Sequence, residues 1–125
     1  MIITSHVLKR WITHILNPDQ YQHLRRCKRD GCPNCIELKT ALNEMMFGRS
    51  KPYIEKAIHS EFGKTDLITS GPLYDFIMKD DSHKNHLIFK GNRVVFLVKR
   101  QGEEFILRGV DRLDSSRFKK VVFDV

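Results

Sequence analysis

The chain has 125 residues, with 22 Lys+Arg against 15 Asp+Glu, a formal net charge of +7 and 41% hydrophobic residues. These values predict one small basic domain over residues 1–125 and exclude a disordered chain, because enough apolar surface is present to build a core. No apolar run approaches the ~18 residues that cross a bilayer, and charged and histidine residues interrupt the apolar N-terminus, unlike a signal peptide. We therefore expect a cytoplasmic protein with no membrane partner.

The segment from Ser5 to Leu16 has the spacing of an amphipathic helix. Its apolar face consists of Val7, Leu8, Trp11, Ile12, Ile15 and Leu16. Thr4 or Ser5 can cap the start of this helix, and Asn17-Pro18 ends it.

Further helices are predicted before residue 80. A very polar helix runs from about Asp19 to Lys28, a third begins near Pro33 and ends before Gly48, and a fourth begins at Pro52 and ends before Gly63. After the turn Ser70-Gly71-Pro72, a short helix bears Leu73, Phe76 and Ile77.

From His86 onward the residues follow the pattern of strands. The segments are His86 to Lys90, Arg93 to Arg100 and Glu103 to Val110, joined by two-residue hairpin signals, with a fourth strand at Lys119 to Val125. The predicted fold class is therefore α+β, with about four or five N-terminal helices packed on one face of a C-terminal four-stranded antiparallel sheet.

The basic excess is concentrated in the helical half of the chain. Residues 1 to 64 hold 11 Lys+Arg and 6 Asp+Glu, whereas residues 65 to 125 hold 11 and 9. The densest stretch contains Arg25, Arg26, Lys28 and Arg29 with no acid among them. Such a run can neutralise several phosphates, which favours a nucleic-acid partner, although a solvated basic face is the alternative.

Three cysteines and one histidine fall close together in the sequence. His23, Cys27, Cys32 and Cys35 form a Cys3His set that can surround one Zn²⁺ tetrahedrally, and such a four-ligand zinc is structural because no position stays open for catalysis. A redox pair in Cys32-Pro33-Asn34-Cys35 and three cysteines without a special role are the alternatives. Close spacing and an odd number argue against a disulfide framework.

A second set of residues can perform proton transfer and bind phosphate. His6, Arg10 and His14 are spaced by four and so lie along one stripe of the first helix, opposite its apolar face. Lys99, Arg100 and Arg108 lie in adjacent predicted strands and can reach the same groove if the register allows. Cleavage of RNA by its own 2′-hydroxyl needs a base, a cation and an acid, which these residue types supply.

The opening Ile3-Thr4-Ser5-His6-Val7-Leu8-Lys9-Arg10, followed by helices and a β-meander, resembles the start of small toxin-like ribonucleases of the barnase, EndoU, colicin and RelE group. Members of that group pack N-terminal helices on an antiparallel sheet and cleave RNA without metal. The resemblance implies a catalytic role for His6 and a phosphate-binding role for Arg10, with Val7 standing where Ala is usual.

These patterns lead to three hypotheses of different classes. The first is a metal-independent endoribonuclease of toxin or phage type, in which His6, Arg10, His14, Lys99 and Arg108 form the catalytic set. RNA is favoured over DNA, and an antitoxin or a host protein is a candidate protein partner. The second is a non-catalytic nucleic-acid-binding or regulatory module with a structural zinc. The third is a phage-type inhibitor that binds a host enzyme, in which case the charge is incidental.

Overall fold

Most helices precede most strands along the chain. The computed structural model describes residues 1–118. In chain order the elements are β1 (Ile2–Ile3), α1 (Ser5–Arg10), a π-helical segment (Trp11–Leu16), α2 (Pro18–Arg26), α3 (Pro33–Phe47), α4 (Lys51–Phe62), β2 (Asp66–Ile68), α5 (Pro72–Met78), a 3₁₀ turn (Asp81–His83), β3 (Leu87–Lys90), β4 (Val94–Gln101) and β5 (Glu104–Arg112). The α+β class is confirmed.

Within residues 1–118 the strands form one five-stranded mixed sheet in the order β1-β5-β4-β3-β2. The predicted antiparallel meander is confirmed in β3, β4 and β5. The prediction of four antiparallel strands is wrong, because β1 adds parallel to β5 and β2 adds antiparallel to β3. Two- and three-residue strands carry no visible alternation of apolar and polar residues. The predicted strand at Lys119 to Val125 lies outside the described residues.

Helices cover both faces of the sheet, which corrects the prediction of a single covered face. Successive residues of a strand point to opposite faces, so Val94, Phe96 and Val98 enter one core while Val95 enters the other. α1, the π-helical segment and α4 contribute to the first core. The second core, built with α5, consists of Leu73, Ile77, Ile88, Val95, Leu113 and Phe118. Because both faces are covered, β4 begins with three buried residues instead of an alternating pattern.

The first helix is held at the edge of the sheet by Thr4. Its hydroxyl donates to the carbonyl oxygen of Leu107 at 2.7 Å and accepts from the amide of Val7 at 3.3 Å, which caps the helix. After α1 the chain continues as the π-helical segment, in which the amide of Asn17 donates to the carbonyl of Ile12. Thr4 therefore fixes where the polar side of α1 lies relative to β5.

Candidate functional site

Histidines and arginines from separate elements meet in a cleft of about 280 Å³ beside β5. We call it the β5 cleft, and its charged and imidazole residues are His6, Arg10, His83, Arg108, Asp111 and Arg117. Apolar side chains including Ile77, Val95, Leu97 and Phe118 complete its lining. Three of the five residues predicted to be catalytic, His6, Arg10 and Arg108, thus lie in one cavity.

Two features of the strands shape the β5 cleft. β1 pairs only with Ile106 and Leu107, so α1, which directly follows β1, lies next to the remainder of β5. Within the ladder, Val98 is opposite Leu107 and Leu97 is opposite Gly109, which leaves Arg108 as the extra residue of a β-bulge. Bulges bend a strand and redirect side chains, and this one lies at a cationic residue of the cleft.

Arg10 is held in a fixed position by two contacts. Its Nε donates to the carbonyl of Val110 at 3.1 Å, and its guanidinium lies 3.4 Å from a carboxylate oxygen of Asp111. Both contacts come from the β5 backbone or from a side chain on β5, so the guanidinium is fixed to the strand beside α1. A preorganised guanidinium of this kind is suited to bind a phosphate.

Asp111 connects two arginines of the cleft. The carboxylate oxygen that contacts Arg10 also lies 4.0 Å from Arg117. The guanidinium of Arg117 stacks over Phe118 and Phe76, with its central carbon 5.0 Å and 6.0 Å from the two ring centroids. Asp111 therefore brings two cations to the same side of the cleft.

His83 is an oriented imidazole. Its Nδ1 is 2.9 Å from the carbonyl oxygen of Ile77, a contact in which the nitrogen must donate because a carbonyl only accepts. In the neutral ring, Nε2 is then the proton acceptor, and it lies 3.8 Å from a carboxylate oxygen of Asp80. Two hydrogen bonds from Ser82 hold the pKa of Asp80 below its ordinary value, so this carboxylate is ionised beside the ring.

His6, Arg108 and Arg117 are exposed residues of the β5 cleft, and Arg117 is held by Asp111 and two aromatic rings, whereas His6 and Arg108 are not held in this way. Within residues 1–118, neither side chain makes a hydrogen bond or an ion pair. They are therefore accessible to a ligand that enters the cleft, whereas Arg10 and His83 are already held by protein atoms.

His14 lies outside the residues that line the β5 cleft. It belongs to the π-helical segment, where residues four apart no longer superpose, so the predicted stripe is broken after Arg10. His14 packs on Tyr21 with a centroid distance of 5.1 Å, and its Nδ1 is 2.7 Å from the hydroxyl of Thr13. Partial burial is the main cause that lowers its pKa, and nearby Arg10 and Arg25 lower it further.

Lys99 is exposed on β4 and also does not line the β5 cleft. It pairs with Ile106 at the hairpin end of the strand, beyond Leu97. Arg100, on the opposite face of the strand, donates from its Nε to the carbonyl of Gly102 at 3.1 Å. Of the three strand cations considered from the sequence, Arg108 alone reaches the cleft.

The four predicted metal ligands come together. One ligand atom from each of His23, Cys27, Cys32 and Cys35 lies within 4.8 Å of all the others. In a tetrahedral zinc site with bonds of about 2.0–2.3 Å, ligand atoms lie roughly 3.5–3.8 Å apart, so a small contraction would close the set around an ion. The donor set is chemically that of a structural zinc site.

The local fold explains why these four residues meet. His23 lies in the last turn of α2, Cys27 directly follows that helix, and Cys32 directly precedes α3. Gly31, at φ +66°, permits the reversal between the helices. The backbone amide of Cys35 and the ring of His23 lower the pKa of Cys32, and burial is the main cause that raises the pKa of Cys35.

The four predicted nucleic-acid-binding residues Arg25, Arg26, Lys28 and Arg29 are all exposed. The guanidinium of Arg25 lies over the ring of Tyr21, 5.9 Å from its centroid. His14 packs on the same Tyr21, and both Arg10 of the cleft and Arg25 of α2 lower its pKa.

Sequence reasoning missed His83, Asp111 and Arg117 as cleft residues. His83 lies in a polar segment with no regular pattern, and Asp111 and Arg117 lie beyond Val110, where the third predicted strand ends. α1, the 3₁₀ turn and the end of β5 come together only in the tertiary structure, so the spacing of residues along the chain could not predict that they share a cleft.

Comparison of the chain with protein-family models, with curated proteins and with solved structures found no match. Within residues 1–118, no helix is both long and apolar enough to cross a membrane. Function therefore has to be inferred from the residues of the site.

Proposed function

We propose that the protein is a cytoplasmic, metal-independent endoribonuclease whose active site is the β5 cleft. The observation that carries the proposal is the convergence of two imidazoles and three guanidiniums on one cavity, from elements far apart in sequence. Solvated surface residues have no reason to converge in this way, whereas a phosphoryl-transfer site requires it.

The reaction is transfer of the phosphoryl group to the neighbouring 2′-oxygen of RNA. A base removes the 2′-hydroxyl proton, the oxygen attacks phosphorus, and the bond to the 5′-oxygen breaks as an acid protonates that oxygen. The products are a 2′,3′-cyclic phosphate and a free 5′-hydroxyl. Guanidiniums stabilise the charge that gathers on the non-bridging oxygens in the transition state.

Four side chains of the cleft have catalytic roles that follow from their surroundings. His6 is exposed and carries no hydrogen bond within residues 1–118, so it is available for proton transfer at the substrate. His83, with its Nδ1 bound to the carbonyl of Ile77, offers Nε2 as the second proton carrier. Arg10, already fixed to β5, steadies the phosphate, and Arg108 approaches from the bulge.

The composition of the cleft favours catalysis by side chains over catalysis by a bound divalent cation. Among the described residues that line it, Asp111 is the only carboxylate, and it is in ion pairs with Arg10 and Arg117. Mg²⁺ is bound by carboxylates together with phosphates, and cationic neighbours oppose its binding.

The basic run on α2 and after it would hold the RNA backbone away from the scissile bond. Arg25, Arg26, Lys28 and Arg29 are exposed, and Tyr21 of α2 contacts both Arg25 and His14, which follows Arg10 by four residues. A chain of phosphates could therefore follow cations from α2 into the cleft, with an attraction that weakens as salt is added.

His23, Cys27, Cys32 and Cys35 would hold one structural Zn²⁺. All four donors belong to the protein, so the ion would have no open position and no part in the cleavage. Its role would be to tie the end of α2 to the start of α3 and so to position the basic residues between these helices.

The decisive experiment compares the wild-type protein with His6→Ala and with His59→Ala, an exposed histidine on α4 that does not line the cleft. Wild type and His59→Ala are expected to cleave RNA in the presence of EDTA and to leave 2′,3′-cyclic phosphate ends. His6→Ala is expected to lower kcat about 100–10,000-fold, because a general acid or base usually accelerates a reaction by that factor. Its affinity for RNA should be nearly unchanged.

Full activity of His6→Ala would remove the β5 cleft as the catalytic site. A wild-type protein that binds RNA but forms no product at any pH would instead support the second candidate function, a non-catalytic nucleic-acid-binding module. The specific observation that favours this alternative is the metal-competent cluster in the midst of the basic residues.

A further inference from the structure

The β5 cleft combines apolar and cationic surfaces. Ile77 from α5 and Val95 from β4 line it and are each 5% exposed, and Phe118 is 2% exposed. Leu97, two residues along β4 from Val95 and therefore on the same face, is only partly buried. These four residues are called the apolar floor below. A phosphate ion alone has no apolar surface that could pack against this floor.

Cations surround this apolar floor. Among the described residues, three arginines and two histidines line the cleft against one carboxylate, and Asp111 is already in ion pairs with Arg10 and Arg117. The ligand that complements the cleft is therefore anionic at one end and flat or apolar at the other. A nucleotide unit has this chemistry, because its phosphate is charged and its base has two apolar faces.

The volume of the cleft limits how much of a polynucleotide enters. At about 280 Å³ its volume is just below that of small-ligand sites, which begins near roughly 300 Å³. It can accept about one nucleotide. A base that is stacked and paired in a duplex has neither a free face nor a free edge, so it would first have to leave the helix.

Gly109 keeps the apolar floor accessible. It is opposite Leu97 in the sheet, next to the bulged Arg108. A Cβ at this position would lie 3.3 Å from the Cβ of Leu97, closer than ordinary packing, and would push against that residue of the floor. Glycine at a bulge beside a cavity is typical of a place where another group approaches the backbone.

We propose that the β5 cleft binds one unpaired nucleotide of RNA, with its base against the apolar floor and its phosphate on Arg10 and Arg108. The inference rests on the proposed function for the choice of RNA as ligand, and it adds that the substrate is single-stranded at the bound position. Discrimination against duplexes follows from the cleft and does not need the basic residues of α2.

The test measures binding without cleavage. A short fluorescent RNA with 2′-O-methyl groups, which lacks the attacking hydroxyl, is compared with the same strand annealed to its complement and with an abasic strand of equal length. Affinity is expected to fall about tenfold or more for both the duplex and the abasic strand, as the loss of stacking on one base predicts. Equal affinity for the abasic strand overturns the proposal.

A pair of variants assigns the effect to the cleft. Leu97→Phe fills the apolar floor and is expected to weaken binding of the base-bearing strand about tenfold while binding of the abasic strand is unchanged. Leu67→Phe, a half-exposed leucine on β2 of the same sheet that does not line the cleft, is expected to change neither. The same loss in both variants, or in neither, contradicts the proposal.

A measurement on the unaltered protein covers the case in which Leu97→Phe does not fold. An oligonucleotide that carries a photoreactive base is irradiated with the protein, and the cross-linked peptides are identified by mass spectrometry. Adducts are expected on β4 and at residues 108–118, and adducts confined to residues 18–47 overturn the proposal. Binding without any cleavage would refute the endoribonuclease and leave the nucleotide site standing, so the two failures are distinguishable.

Discussion

The β5 cleft and the unit formed by α2 and α3 both concentrate reactive or charged side chains, but they are built differently. The cleft residues project from α1, β5 and neighbouring turns that pack on two buried cores. In the α2–α3 unit (residues 18–47) neither helix contains a fully buried residue, and Cys32 between them is the buried position. The hydrophobic core thus positions the cleft, whereas the four residues of the cysteine cluster belong to neither core.

The β5 cleft and the α2–α3 unit differ in the interactions that would stabilise them. Phe96 is fully buried in the first core and contacts Trp11 and Phe62, so the free energy that fixes the sheet comes from apolar burial and aromatic packing. The α2–α3 unit is attached to that core through partly buried residues of α3, namely Leu42, Met45 and Met46. The end of the unit that bears the cysteines has no such attachment within the described residues, and metal binding would there supply the energy of ordering.

The largest expected effect follows from removal of a metal ligand. Wild-type protein is expected to contain one zinc per chain, and Cys35→Ser is expected to lose most of it, because three ligands bind zinc far more weakly than four. Hydrogen exchange should then become fast at the facing ends of α2 and α3 and stay slow in β4. Asn34→Ser, in the same turn but outside the donor set, is the matched control and should retain the metal.

Absence of zinc from wild-type protein grown with ample zinc would contradict the metal assignment. Loss of slow exchange in β4 as well would contradict the division of the molecule into a core-supported cleft and a metal-supported unit.

The second largest expected effect tests whether the first core stabilises the region of the cleft. Phe96→Ala removes a fully buried ring from the first core and is expected to lower the free energy of unfolding by about 3–5 kcal/mol. Chemical denaturation measures the change. The matched control is Phe47→Ala, whose aromatic side chain is 76% exposed at the end of α3 and should cost far less. Equal losses would mean that the two regions are not supported by different forces.

Sequence patterns predicted the parts of the molecule that depend on neighbours along the chain. Apolar spacing located the face of α1 that carries Val7 and Leu8, and the position of prolines and glycines located the other helices. The cysteine cluster was also predictable, because its four ligands lie within one local reversal of the chain.

The features that the sequence patterns did not predict depend on contacts between distant residues or on a local irregularity of a helix. Ile2–Ile3 becomes a strand only because β5 presents a free edge. His14 leaves the expected stripe because the helix widens after Arg10, and His83 joins the cleft only through tertiary packing. Hydrophobic periodicity cannot predict a π-helical segment, since the method assumes the residue spacing of an α-helix and this segment has a different spacing.

A smaller effect distinguishes the charges of the two regions. Arg25→Ala combined with Arg26→Ala is expected to weaken RNA binding about tenfold at low salt and to reduce the slope of log affinity against log salt by about 1.4, at roughly 0.7 per phosphate contact with a single strand. Lys51→Ala with Lys56→Ala removes the same charge from exposed positions on α4 and should leave the slope nearly unchanged. An equal change in both double variants would assign the attraction to net charge alone.

The smallest effect concerns the residue that aligns α1 with the sheet. Thr4→Ala removes both the cap on the amide of Val7 and the hydrogen bond to Leu107, and the loss of a cap alone costs about 1 kcal/mol. Thr4→Ser keeps the hydroxyl and should retain most of the stability, as measured by chemical denaturation. Because α1 carries His6 and Arg10 into the β5 cleft, Thr4→Ala should lower kcat more than it raises KM. If Thr4→Ser is as defective as Thr4→Ala, the hydroxyl does not align the helix, and the edge pairing of β1 with β5 must do so instead.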